Sequence, residues 1–260
     1  MGIFDGVLFC SDFDGTLAVK QRISAENGEA IRYFQSEGGI FCPCSGRRAH
    51  FFHRYSDLFR PNGPVIVLNG SVIMQYGATP EEDSVLYESE IPLTVARECA
   101  KALIGIEGVR CVYMHRVEGP EKLFPTETDP RGRIDTLEGP FCKLLITHAA
   151  ESIGAMRAAV EPLYGDTVFF SSSEAEIYEG ILHGADKGTS ALRVKEMVGA
   201  HTLVCAGDYG NDVPMLRVAD IAYATGNASD EAKAAAHRVT VPCTEHAIAR
   251  IVEDLRAEFA

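Results

Sequence analysis

The sequence lacks any long hydrophobic run. No stretch of its 260 residues approaches the ~20 consecutive apolar residues that a membrane-spanning helix needs. The first eight residues contain Asp5 and neither lysine nor arginine, so they lack the basic region of a signal peptide. We therefore predict no membrane association and a cytoplasmic location.

Positive charge is also scarce. The chain has 24 lysines and arginines against 37 aspartates and glutamates, for a formal net charge of −13. Such a surface repels nucleic acids and anionic membranes, which bind clusters of basic residues. We predict neither as a partner. A phosphorylated ligand would be repelled as well, so a phosphate site here needs a metal ion or a few placed cations.

The eight cysteines lack a metal-binding pattern. Cys42 and Cys44 are separated by one residue, and no second pair has the matching spacing of a zinc site. Most of the cysteines stand in apolar runs, where a free thiol behaves as a small hydrophobic group. Because cytosolic chains keep their thiols reduced, we predict free thiols rather than disulfides.

What the sequence does contain is an alternation of short apolar runs and helical patterns. Apolar residues make up 46% of the chain, enough to bury a sizeable core. Buried strands are predicted at residues 7–10, 40–44, 65–68, 202–205 and 221–224. Helices are predicted at residues 24–36, 47–59, 187–198, 212–218, 230–236 and 245–258. This alternation predicts an α/β fold with a Rossmann-like parallel sheet.

The middle of the chain has a different pattern. Strands are predicted at residues 85–91, 109–114, 141–147, 168–171 and 176–178, and helices at residues 93–104 and 152–163. Residues 119–139 are rich in proline, glycine and charge, and are predicted to form a loop. We predict that residues 84–183 form an α+β domain inserted into the α/β domain, which comprises residues 1–83 and 184–260.

Two carboxylates follow the first predicted strand, in the sequence Asp12-Phe13-Asp14-Gly15-Thr16. Residues two apart in extended backbone point the same way, and open α/β sheets bind ligands at the carboxyl ends of their strands. Carboxylates about 5 Å apart repel by roughly 3 kcal/mol at an effective dielectric of ~20. A site that holds them together binds a cation or shares a proton. The alternative is an ordinary Asp-Gly turn at the end of a strand.

Two further motifs indicate phosphate binding. Ser45-Gly46-Arg47 follows a predicted strand and opens a predicted helix, where a hydroxyl and free backbone N–H groups bind a phosphate oxygen. An ordinary N-cap serine is the alternative. Lys187 stands at the start of a predicted helix, where the helix dipole disfavours a cation. That position indicates an anionic partner, although a solvated lysine fits the pattern too.

The segment GDYGND at residues 207–212 follows another predicted strand and adds Asp208, Asn211 and Asp212. Hard oxygen ligands of this kind suit Mg²⁺, although loops rich in glycine, asparagine and aspartate are common. Together, DxDGT, SGR, Lys187 and GDxxND resemble, in identity and order, the motifs of the haloacid dehalogenase superfamily of phosphatases. The resemblance covers the whole chain. The insertion is similar to the family's type-IIB cap domain, near the Cof-like sugar-phosphate phosphatases. Ser45 stands where many relatives have threonine.

This resemblance implies a phosphoric monoester hydrolase that depends on Mg²⁺. Asp12 would attack phosphorus and form an aspartyl phosphate, and Asp14 would act as general acid and then base. The implied metal ligands are Asp12, Asp14 through its backbone carbonyl, Asp208 and Asp212. The implied phosphate-binding residues are Ser45, Gly46, Lys187 and Asn211.

The expected substrate is a small phosphorylated metabolite of the sugar-phosphate class. Arg47, His115, Lys143 and Tyr178 are candidates for substrate specificity, although His115 and Lys143 equally fit ordinary strand positions. A phosphomutase or phosphotransferase of the phosphomannomutase type is an alternative, as is a metabolite-binding protein without catalysis. The complete set of motif carboxylates favours catalysis. The oligomeric state does not follow from the sequence.

Overall fold

The computed structural model describes residues 2–260, which form two compact units. Residues 2–87 and 187–260 make up the first, called the core unit here, and residues 88–186 make up the second, called the inserted unit. The predicted boundaries were 83 and 183, against 87 and 186 in the structure.

Strands and helices alternate along the described chain. The strands are β1 (Val7–Ser11), β2 (Ala18–Val19), β3 (Arg22–Ile23), β4 (Ile40–Pro43), β5 (Val65–Val67), β6 (Val72–Gln75), β7 (Ser84–Glu88), β8 (Val109–His115), β9 (Pro120–Leu123), β10 (Lys143–His148), β11 (Val168–Glu174), β12 (Ile177–Leu182), β13 (Thr202–Gly207), β14 (Ile221–Ala224) and β15 (Arg238–Val239). The helices are α1 (Ala25–Ser36), α2 (Leu93–Ile104), α3 (Pro130–Thr136), α4 (Ile153–Tyr164), α5 (Lys187–Met197), α6 (Val213–Val218), α7 (Asp230–Ala235) and α8 (Ala247–Phe259).

A parallel sheet in the order β15-β14-β13-β1-β4 forms the centre of the core unit, which confirms the predicted fold class. All five predicted core strands begin at the predicted residue. Every residue of β1 is buried, as expected for a strand covered on both faces. Because successive side chains alternate, Leu8, Cys10 and Asp12 point to one face and Phe9 to the other.

Helices cover both faces of this sheet. Leu8 packs in a buried cluster with Val194 of α5 and Met215 of α6. On the opposite face, the ring of Phe9 meets that of Phe34 in α1 at 5.9 Å, edge to face. Asp12 therefore lies on the α5 side of the sheet, toward the helix that begins with Lys187.

Two elements of the core unit differ from prediction. The helix predicted over residues 47–59 is instead a shorter 3-10 helix, Ala49–Tyr55, and three of its aromatic rings pack on Phe13 at 5.2 to 5.5 Å between ring centroids. The strand predicted at residues 85–91 is β7. It joins the core unit's three-stranded sheet, β5-β6-β7, instead of opening the inserted domain.

The inserted unit has an antiparallel sheet in the order β11-β12-β10-β8-β9. Along β10, Leu144 and Ile146 pack with Leu103 of α2 and Met156 of α4, while Lys143 points to the other face. The loop predicted at residues 119–139 is wrong in part, since it contains β9 and α3. The carboxylate of Asp129 caps α3, and Pro130 fills its first position.

All eight cysteines are free, as predicted; seven are buried and Cys243 is partly exposed. Within residues 2–260, no helix combines the length and apolar character needed to cross a membrane.

Candidate active site

Three carboxylates meet at the carboxyl edge of the parallel sheet. Asp12 follows β1, Asp208 follows β13, and Asp212 ends the short turn after Asp208. One oxygen from each lies within 4.8 Å of the other two. They meet because β1 and β13 are parallel neighbours in register, so that both strands end at the same edge.

Lys187 supplies one positive charge to this cluster. It is fully buried at the first residue of α5, and its Nζ lies 2.6 Å from Asp12 Oδ1 and 2.6 Å from Asp212 Oδ1. Burial lowers the pKa of Lys187, but the charges of Asp12 and Asp212 outweigh burial and raise it. The lysine therefore stays charged. Its partners are the anionic groups that its position at the start of a helix had indicated.

The cluster carries more negative than positive charge: three carboxylates and one lysine give −3 + 1 = −2 when all are ionised. Burial, followed by the charge of Asp212, raises the pKa of Asp12 well above its usual range and that of Asp208 to about 7. A divalent cation would relieve both effects, and clustered carboxylate oxygens are the ligands that Mg²⁺ prefers. The donor set thus fits the implied metal.

Hydrogen bonds orient these carboxylates. The hydroxyl of Thr16, a buried residue, donates to Asp208 Oδ1 at 3.0 Å. The backbone N–H groups of Asp208 and Tyr209 donate to Asp212 Oδ2 at 2.9 and 3.1 Å. Thr16 was not among the predicted site residues, although its place in the DxDGT motif was the available signal.

Gly15 allows the close approach of the first motif to Asp208. Its φ of +86° lies in the left-handed region, and an added Cβ would come 2.3 Å from Asp208 Oδ2. The carbonyl of Gly15 accepts a hydrogen bond from Asn227 Nδ2 at 2.9 Å, and Asn227 Oδ1 accepts one from the backbone of Cys243 at 2.8 Å. Asn227 therefore links the first motif to the loop before α8.

The SGR motif lies at the end of the neighbouring strand β4. Ser45 is 2% exposed, and its hydroxyl oxygen accepts from the backbone N–H of Arg47 at 3.2 Å. The backbone of Asn69 donates to the carbonyl of Ser45 at 3.0 Å, and Asn69 Oδ1 accepts from Asn211 Nδ2 at 3.4 Å. Asn69 thus connects two predicted phosphate-binding residues, Ser45 and Asn211, while Gly46 is half-buried beside Ser45.

Asp14 stands apart from the carboxylate cluster. Its side chain is 37% exposed, and both of its oxygens pair with Arg47, at 2.5 Å to Nε and 2.8 Å to Nη2. Burial lowers the pKa of Arg47, but the hydrogen bonds and charge of Asp14 raise it overall, so the guanidinium stays charged. The structure therefore places Arg47 beside the candidate acid.

The other predicted specificity residues belong to the inserted unit. Tyr178 is fully buried in its hydrophobic core and its hydroxyl donates to Glu161 Oε1 at 2.9 Å, so we withdraw it as a substrate contact. Lys143 is fully buried in an ion pair with Glu179, which the sequence analysis missed. His115 ends β8 and is paired in register with Lys143.

Comparisons with known proteins agree with this geometry. The family model for haloacid dehalogenase-like hydrolases matches residues 9–252. A Bacillus subtilis (strain 168) protein, 5-amino-6-(5-phospho-D-ribitylamino)uracil phosphatase YitU, is 22% identical over 95% of this chain and 96% of its own.

Solved structures share the fold. The subclass IIB sugar phosphatase BT4131 superposes with a TM-score of 0.79 at 20% identity, covering 96% of this chain and 98% of the other. BT1666 from Bacteroides thetaiotaomicron, a phosphatase of the same superfamily, has a TM-score of 0.77 at 20% identity and covers 98% and 96%. The chain therefore belongs to the haloacid dehalogenase-like hydrolase family, as its motifs predicted, and is a phosphatase-type enzyme.

Proposed function

We propose that this enzyme is a Mg²⁺-dependent phosphatase that hydrolyses small phosphorylated metabolites of the sugar-phosphate class through an aspartyl phosphate at Asp12. The observation that carries the proposal is the cluster of Asp12, Asp208 and Asp212 at the carboxyl edge of the sheet, in which buried Lys187 contacts Asp12 and Asp212. The names of the relatives support the substrate class, since one acts on a phosphorylated ribityl compound and another is a sugar phosphatase.

The proposed chemistry has two steps. A carboxylate oxygen of Asp12 attacks phosphorus, and the leaving oxygen departs with a proton from Asp14. Water then attacks the aspartyl phosphate and gives a proton to Asp14, which releases inorganic phosphate and restores both carboxyl groups. In the proposed assignment, Lys187, Ser45, Gly46 and Asn211 bind the phosphoryl oxygens.

The metal would be held by Asp12, by the backbone carbonyl of Asp14 and by Asp208 and Asp212. When bound, Mg²⁺ supplies positive charge that offsets the repulsion between the phosphate and the carboxylates. Lys187 also supplies positive charge beside the nucleophile, because its buried ammonium contacts Asp12.

The test is phosphate release from a panel of sugar phosphates, nucleotides, pyridoxal phosphate and p-nitrophenyl phosphate, with Mg²⁺ and with EDTA. We expect release with Mg²⁺ only, and a loss of at least about 10³-fold in Asp12→Asn, which removes the nucleophile. Asp230→Asn is a suitable control, because this aspartate lies in the first turn of α7 and outside the cluster.

Near-normal release from Asp12→Asn would exclude the covalent mechanism. Transfer of phosphate to an added sugar, without free phosphate, would favour the phosphotransferase alternative. Binding of the metabolites without turnover by folded, Mg²⁺-loaded protein would favour a binding protein.

A further inference from the structure

Arg47 is held by several groups of the core unit. Its Nε and Nη2 donate to the two carboxylate oxygens of Asp14 at 2.5 and 2.8 Å, and its backbone N–H donates to Ser45 Oγ. Its guanidinium carbon lies 4.0 Å from the ring centroid of Phe51 and 5.9 Å from that of Phe13. The side chain is nevertheless 29% exposed. The guanidinium is thus fixed by the protein and still within reach of a ligand.

Asp14 occupies the edge of the guanidinium that presents two parallel N–H groups. This fork binds carboxylates and phosphates with the same two-bond geometry. The face of the guanidinium packs on Phe51, and this contact does not involve Asp14. Arg47 is therefore a preformed anion receptor that is filled, in this structure, by a carboxylate of the protein itself.

In the proposed reaction Asp14 acts on the leaving oxygen while it lies beside Arg47. A general acid must come within ~2.6–3.2 Å of the leaving oxygen, and both oxygens of Asp14 are engaged with Arg47. The guanidinium consequently stands on the leaving-group side of the reaction centre. A leaving group that carries its own anion would replace Asp14 on the fork and free the acid in the same event.

We infer that Arg47 is a specificity-determining residue that binds a carboxylate or a second phosphate on the leaving portion of the substrate. The inference rests on the proposed function. It narrows the substrate class to phosphate monoesters with a second anionic group a few bonds from the ester oxygen. In a chain with a net charge of −13, a fixed guanidinium is what such a substrate needs.

The test uses substrates that differ in one group. 2-Phosphoglycolate carries a carboxylate, ethylene glycol bisphosphate carries a second phosphate, and 2-hydroxyethyl phosphate carries a neutral hydroxyl. kcat and KM are measured with Mg²⁺ for the wild type, Arg47→Gln and Arg47→Lys. Arg54→Gln is the matched control, because Arg54 lies 4.1 Å from the centroid of the same Phe51 ring but is not placed in the site.

We expect the wild type to have a higher kcat/KM for at least one of the two anionic substrates than for 2-hydroxyethyl phosphate. The anionic substrate with the higher kcat/KM shows whether a carboxylate or a phosphate fits the fork better. Arg47→Gln should lower kcat/KM for that substrate by about 10- to 100-fold, mainly through KM, and change 2-hydroxyethyl phosphate far less. Arg47→Lys should recover part of the loss, because it keeps the charge without the fork. Arg54→Gln should leave all three substrates unchanged.

Equal losses on all three substrates would overturn the inference, because Arg47 would then serve the transferred phosphoryl group or the fold of the site. A wild type without preference for an anionic substrate would overturn it as well. In both cases hydrolysis of p-nitrophenyl phosphate that is lost in Asp12→Asn would show that the proposed function stands. Hydrolysis that survives Asp12→Asn would instead remove the proposed function.

Discussion

Each unit of the molecule buries a lysine completely, and the two lysines are paired differently. In the core unit, Lys187 contacts two carboxylates and lies in a cluster that contains a third. In the inserted unit, Lys143 pairs with Glu179 on the neighbouring strand β12. The first group keeps an excess of negative charge, whereas the charges of the second pair cancel.

This difference separates the cluster that we propose to be catalytic from an ion pair with balanced charges. A balanced buried pair satisfies its own charges and needs no further ion. An unbalanced cluster raises the pKa of its carboxyl groups and remains costly until a cation binds. We therefore base the proposed catalytic role of the cluster on its excess negative charge, and not on burial alone.

Lys187→Met should have the largest effect. Loss of its ammonium leaves Asp12 and Asp212 without their buried cation, so we expect metal-free protein to lose about 3–5 kcal/mol of unfolding free energy. Turnover should fall by about 10²- to 10³-fold, because one charge-stabilising donor is gone. Denaturant unfolding in EDTA and in Mg²⁺, with phosphate release, measures both.

Lys195→Met is the matched control on the same helix. Lys195 pairs with Asp220 at 2.7 Å, and the two side chains are 23% and 50% exposed. Exposed pairs of this kind contribute about 0–1 kcal/mol. If Lys187→Met were no more damaging than Lys195→Met, the cluster would not depend on the lysine.

Glu179→Gln should destabilise the protein by about 3–5 kcal/mol, since it removes the carboxylate that pairs with Lys143, which is 0% exposed. Unlike the change at Lys187, this loss should be the same in EDTA and in Mg²⁺. The double substitution Lys143→Met with Glu179→Leu should restore most of the stability, because it removes both charges. Denaturant unfolding of the wild type, the single variant and the double variant measures this. If Mg²⁺ restored the stability lost in Glu179→Gln, the distinction between the two units would be contradicted.

Expressed per pH unit, the smallest predicted effect is on the pH dependence of stability. Because the pKa of Asp208 is raised to about 7 in the folded protein, the folded state binds the proton more tightly than the unfolded state does. Between pH ~4 and 7, the contribution of Asp208 to stability in EDTA should therefore fall as pH rises, by up to about 1.4 kcal/mol per pH unit, and this contribution should level off above pH 7.

Mg²⁺ should oppose this decline, because it binds the ionised carboxylates. Unfolding curves at pH 5.5, 6.5 and 7.5 provide the measurement, and Asp208→Asn should flatten the slope in EDTA. An unchanged slope in that variant would assign the pH dependence to other groups.

The core unit was predictable because a parallel sheet converts sequence order into position. Strands that begin at Val7 and Thr202 end at the same edge, so the motifs after them had to meet. The carboxylates of the motifs, and the lysine at the start of a helix, could also be identified from the sequence alone. The pairing of Asp14 with Arg47 could not, because it depends on the rotamers that Phe51 and Phe13 permit.

The inserted unit was harder because its antiparallel register depends on pairing between distant segments. Lys143 and Glu179 face each other only through the pairing of β10 with β12. Tyr178 looked like a candidate ligand contact, but alternation along β12 points it into the hydrophobic core. Helix α3 was not predicted because residues 119–139 are rich in proline, glycine and charge, a composition typical of loops. Its N-cap residue, Asp129, is also of a type that is common in turns.

Cys243, whose backbone is hydrogen-bonded to Asn227, is a suitable attachment site for a fluorescent reporter. Cys243 is partly exposed while the other seven thiols are buried, so a maleimide dye would attach there in the natural sequence. Burial raises the pKa of the Cys243 thiol, which favours labelling at mildly alkaline pH. Asn227 hydrogen-bonds both to the backbone N–H of Cys243 and to the carbonyl of Gly15, which lies beside Asp208. Emission from that position would follow changes at the carboxylate cluster in real time, without a coupled assay.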